Sequence, residues 1–172
     1  MNLQRFFDDA VRRSLGDLAR RDDPAAEYLA DLLTRFARTD NLYPRGERAV
    51  RLETVAEMLL DIQEVWDDRS PHFRPEHEVA LRRHVGDYAL FMSGVFQERV
   101  ARLSAGRYYI AEGKRAYRFV AEHQRAARGE PWAALFRRLS DQFEAYVGVL
   151  DYARKVYFRD HPDHPFFRLA FG

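Results

Sequence analysis

Apolar residues recur through the last third of the chain at alternating gaps of four and three: Trp132, Phe136, Leu139, Phe143, Tyr146, Leu150, Ala153 and Tyr157. That spacing keeps one face of an α-helix apolar and turns the charges to the other. It predicts a helix over about 131–158, roughly 40 Å long at 1.5 Å per residue. Such a helix would be the central strut of an all-α fold.

The same period runs upstream. A first helix is predicted over about 3–20, with Phe6, Phe7, Ala10, Val11, Leu15 and Leu18 inward. Pro24 suits the first turn of a second helix, which carries Tyr28, Leu29, Leu32, Leu33 and Phe36. After a loop at 39–47, a third is predicted over about 48–68 on the seam Leu52, Val55, Leu59, Ile62 and Trp66. Two prolines break 69–75, and a fourth helix follows to about Phe91. Ser93-Gly94 either ends that helix or lets a neighbour approach. A short helix reaches about Leu103, a sixth covers about 107–127, and Gly129-Glu130-Pro131 separates it from the striped segment. Period-two alternation is missing, so no strand competes. The expected fold is all-α: one domain, 1–172, of six or seven helices. Its aromatic tail, 160–172, should dock, because an undocked apolar end invites aggregation.

Composition narrows the classes. Hydrophobic residues make up 47% of the 172, enough for a buried core. No apolar run approaches the ~18 residues of a membrane span, and the N-terminus lacks the apolar region of a secretory signal. The cytoplasm is the expected compartment. The chain has no cysteine, which removes disulfides, thiolate nucleophiles and cysteine metal sites together. Of 28 basic residues only Lys114 and Lys155 are lysine, a bias simplest to read as a codon effect of a GC-rich genome. With a net charge of +1 there is no global field to draw nucleic acid.

Charge is nonetheless unevenly spread. Glu53, Glu57, Asp61 and Glu64 fall on one face of the third helix, where like charges at i,i+4 cost a few tenths of a kcal/mol per pair. Arg107, Lys114, Arg118 and Arg125 share a face of the sixth. These faces either meet within the chain or dock a partner. The segment Arg107–Tyr117 is the most idiosyncratic. Gly113 sits in a helix interior at a cost of about 1 kcal/mol against alanine, one turn from Tyr109 and Tyr117. It predicts either close helix packing over Gly113 or a small pocket in which tyrosine hydroxyls and Lys114 meet a ligand.

Catalytic signatures are sparse. His84 lies in line with Leu81, Tyr88 and Phe91, as a core histidine would. Asp87 is available to orient His84, and Glu122 to orient His123. His161-Pro-Asp-His164 could hold a metal in a loop but lacks an obvious third ligand. No Glu-x-x-His pair, phosphate-binding loop or nucleophile elbow occurs. No catalytic residue, metal or cofactor is therefore assigned.

The leading expectation is a non-enzymatic interaction or regulatory module that acts through charged helix faces, as a homodimer or with a protein partner. The alternative is a helical ligand-binding protein or enzyme with a pocket at His84, Tyr88, Tyr109, Gly113, Lys114 and Tyr117. Nucleic-acid binding through 107–127 is a weaker third, since one stripe of four bases is a small electrostatic footprint.

Overall fold

The computed structural model describes residues 2–38, 75–102, 104–159 and 166–167, with backbone alone at 75 and 124–128. Seven helices occur among them and no strand: α1 (Leu3–Asp17), α2 (Asp23–Arg38), α3 (Pro75–Val95), α4 (Gln97–Arg102), α5 (Gly106–Arg128), α6 (Glu130–Asp141) and α7 (Phe143–Tyr157). The all-α expectation holds. The helix predicted over 48–68, with Glu53, Glu57, Asp61 and Glu64, lies outside the described residues.

Local chemistry sets the helix ends. The Asn2 side chain accepts the Arg5 amide at 3.2 Å and opens α1. The helix closes earlier than its apolar pattern suggests. Ala19 takes a left-handed φ of 55°, the Arg20 amide donates to Leu15 O at 2.8 Å, and the Ala19 amide donates to Gly16 O. This is the Schellman closure, built on alanine where glycine is usual. Ser104 closes α4 in the same way, with Ala105 N–H on Val100 O. Asp22 caps α2 by accepting the Ala25 amide at 3.1 Å.

The C-terminal stripe is buried from Phe136 to Ala153. Two helices carry it, however, where one was predicted. Gln142 leaves helical geometry at φ −111°, ψ 28°, while its N–H still bonds Arg138 O and its carbonyl still accepts the Tyr146 amide. The break preserves the apolar register on both sides.

Packing follows the apolar faces. α1 pairs with α2, α5 runs along both α3 and α6, and α7 lies on α3 and α1. From Val85 to Phe96 every residue of α3 and its exit is buried, as expected of a helix that is apolar nearly all round. Gly94 does not break α3. A Cβ there would fall 2.6 Å from the Leu150 Cβ, so its bareness lets α7 approach. Phe166 and Phe167 are each 1% exposed and pack on α1 and the end of α7. Phe7 meets Phe166 edge-on at 5.5 Å, and Phe6 meets Phe167 at 5.3 Å.

Candidate functional site

The least expected residue of the interior is Asp87 on α3, whose side chain is 1% exposed. A buried carboxylate is costly unless paired and hydrogen-bonded. Three donors converge on it from two other helices. Tyr28 Oη of α2 donates to Oδ1 at 2.6 Å, and Tyr117 Oη of α5 donates to the same oxygen at 2.7 Å. Arg35 Nη2, two turns beyond Tyr28 on α2, donates to Oδ2 at 3.0 Å. Arg83, one turn before Asp87, donates from Nε to Tyr28 Oη at 3.1 Å. Its Nε lies 3.9 Å from Asp87 Oδ2. Burial, then the Asp87 charge, raises both phenols well above the usual tyrosine range. For Arg35 burial works against the charge, but Asp87 and Tyr28 outweigh it. For Arg83 burial again opposes, and Tyr28 and Asp87 prevail. Both guanidiniums are held charged, and both tyrosines neutral.

This cluster fixes one wall of a cleft of about 450 Å³ at the meeting of α1, α2, α3 and α6. Gln4 comes from α1; Pro24, Glu27, Tyr28 and Asp31 from α2; Arg83 from α3; Pro131, Trp132 and Leu135 from α6. The helical period of α2 puts Glu27 and Asp31 one turn apart on the face beside Tyr28. The Arg83 guanidinium lies 5.5 Å from the Tyr28 ring centroid and 5.8 Å from that of Trp132. Behind them Phe136 meets both rings edge-on at 5.3 Å. Asp31 is spent on Arg35 Nε at 2.8 Å. Glu27 makes no ion pair or side-chain hydrogen bond among the described residues, and Arg83 makes none through its terminal nitrogens.

The residues singled out from sequence are placed as follows. Tyr117 joins the Asp87 cluster. Tyr109 is buried beside Tyr88, their ring centroids 6.2 Å apart, and its phenol is raised by burial first and Tyr88 second. Gly113 is a packing site, because a Cβ would fall 2.4 Å from the Phe143 ring and 3.1 Å from the Ala89 Cβ. Lys114 pairs with Glu144 of α7, and Arg118 lies 4.0 Å from Asp141. Arg107 is exposed, and the Arg125 side chain lies outside the description. His84 is exposed and stacks on Phe36 at 6.0 Å. Partial burial lowers its pKa, with Asp87 acting in the opposite sense. Neither expected histidine orienter engages. Asp87 bonds tyrosines and arginine, and His123 Nδ1 bonds Phe119 O at 2.9 Å. His161 and His164 lie outside the described residues, among which no group of three His, Asp or Glu is placed to hold a metal. No described helix is long and apolar enough to cross a membrane.

No family model, curated protein or solved structure matches the chain. The cleft residues Glu27, Tyr28, Arg83 and Trp132 carry no motif. One signal did point to Asp87. It is one of only two side chains with hydrogen-bonding heteroatoms, other than Tyr88, in the twelve-residue stretch from Val85 to Phe96.

Proposed function

We propose that the chain is a non-enzymatic binding protein and that the cleft between α2, α3 and α6 receives its ligand. The observation that carries this reading is Arg83. Its guanidinium lines the cleft, is held by the Tyr28 hydroxyl beside a buried carboxylate, lies against two aromatic rings, and bonds no described residue through its terminal nitrogens. Small-molecule sites are concave and aromatic-rich, with a few fixed polar groups, in cavities of about 300–1,000 Å³. Helices supply every described lining residue, a preorganised frame that keeps the ordering cost of binding small.

Asp87 supports binding over acid–base chemistry. It is 1% exposed and three donors from the protein already hold it, whereas a general base must lie within reach of a substrate proton. Partner docking through charged helix faces has less behind it, because Lys114 and Arg118 are met by Glu144 and Asp141 of the same chain.

Native mass spectrometry of protein purified without added ligand tests the reading. A small bound mass at fixed stoichiometry is expected, lost in Trp132→Ala with the helical circular dichroism unchanged. A bound mass that survives Trp132→Ala would overturn the cleft as its site. So would a wild-type protein that carries no mass and whose Trp132 resonances no small-molecule mixture moves.

A further inference from the structure

We infer that the ligand class is a small zwitterion: a primary amine and a carboxylate on one compact, apolar or aromatic body. This rests on the cleft reading above and deepens it. Two opposite charges border the cleft with atoms that no described residue bonds: the terminal nitrogens of Arg83, whose Nε already meets Tyr28 and lies 3.9 Å from Asp87, and the carboxylate of Glu27. Among the described residues Arg83 bonds only through Nε, to Tyr28 Oη, which leaves the terminal nitrogens as a planar fork suited to a carboxylate. Glu27 lies in the field of Arg12 but makes no ion pair with any described residue, whereas the neighbouring Asp31 is engaged by Arg35.

A simple anion would answer Arg83 but sit near Glu27 uncompensated. A simple cation would answer Glu27 and face Arg83. A ligand with both charges meets both residues at once, and the ring of Trp132 with Leu135 gives its body an apolar wall. At about 450 Å³ the cleft is near the lower end of small-molecule sites, which favours a single compact molecule over a long peptide.

Three probes of matched body separate the charges: L-phenylalanine, 3-phenylpropionate and phenethylamine. The readout is the Trp132 indole resonance, assigned with Trp66→Phe. L-Phenylalanine should bind at least about tenfold more tightly than either single-charge probe. Glu27→Gln, a change at an exposed position, should erase its advantage over 3-phenylpropionate. Arg83→Gln should erase its advantage over phenethylamine.

Equal binding of all three at Trp132 would overturn the zwitterion and leave the cleft reading standing. Binding that persists through both substitutions would do the same. If none of the three moves the Trp132 signal, the zwitterion fails. A mixture of uncharged aromatic fragments then judges the cleft itself, which also fails if shifts appear only at other residues. Preference for a peptide bearing a free amino terminus over the free amino acid would replace the small ligand with a protein one.

Discussion

At the residue scale, one oxygen of Asp87 has two jobs. Tyr28 of α2 and Tyr117 of α5 both donate to Oδ1. Either phenol alone can still satisfy that atom in part, but losing both strands it in the core. Tyr28→Phe and Tyr117→Phe should each cost about 1–2 kcal/mol, as hydrogen bonds to charged groups do. The double variant should cost more than their sum, and a double-mutant cycle on urea midpoints reads the excess directly. Simple additivity would mean that the two bonds do not share an acceptor. Asp87→Ala should cost about 3–5 kcal/mol, because the buried Tyr28 and Tyr117 hydroxyls lose their shared acceptor and Arg35 is left with Asp31 alone. None of these partnerships was visible in the chain. An aspartate inside Val85–Phe96 announces that donors must exist, but they lie 59 and 30 residues away in sequence, beyond any local spacing rule.

At the element scale, helices among the described residues were legible where an apolar face repeats, since that face is what burial selects. Their ends were less so. A glycine would have announced the turn after α1, but the left-handed residue is Ala19, which the pattern reads as one more helical position. The Gln142 break is silent for a different reason. It holds the four-three register, so Phe143 falls where an unbroken helix would put it. Glycines inside helices divide by what stands over them. In α7 a Cβ at Gly148 meets nothing within 4 Å, so Gly148→Ala should gain about 0.5–1 kcal/mol from reduced backbone entropy. In α5 the same exchange at Gly113 drives a methyl into the fully buried Phe143 ring, and overpacking of that kind costs about 1–3 kcal/mol. Gly113→Ala should therefore lower the melting temperature and Gly148→Ala raise it. Two shifts of the same sign would contradict the close approach of α5 and α7.

For the whole molecule, the buried phenols set a boundary in pH. Tyr28, Tyr109 and Tyr117 all have pKa values raised in the fold, burial being the first cause in each. The native state keeps these protons where the unfolded chain, near pH 10, releases them. Protons bound then favour the folded side, so stability is intact below about pH 10 and falls as pH rises further, by about 1.4 kcal/mol per pH unit for each such tyrosine. Urea titrations across pH 9–12 should show that decline, with a shallower slope in Tyr117→Phe. A flat profile would show that these phenols are not sealed from water. The Asp22 cap carries a consequence in time. Besides the start of α2, this carboxylate accepts Arg138 Nε at 2.8 Å, 116 residues further along, and the Tyr146 hydroxyl lies beyond that. At synthesis speeds of about 5–20 residues per second, Arg138 leaves the ribosome roughly 6–23 s after Asp22. Throughout that wait Phe6 and Phe7 have neither Phe158 nor Phe166 and Phe167 to cover them. The first helical pair to be made is thus among the last to be sheltered, and a nascent chain of this protein offers a chaperone its aromatic face long before it offers any ligand a cleft.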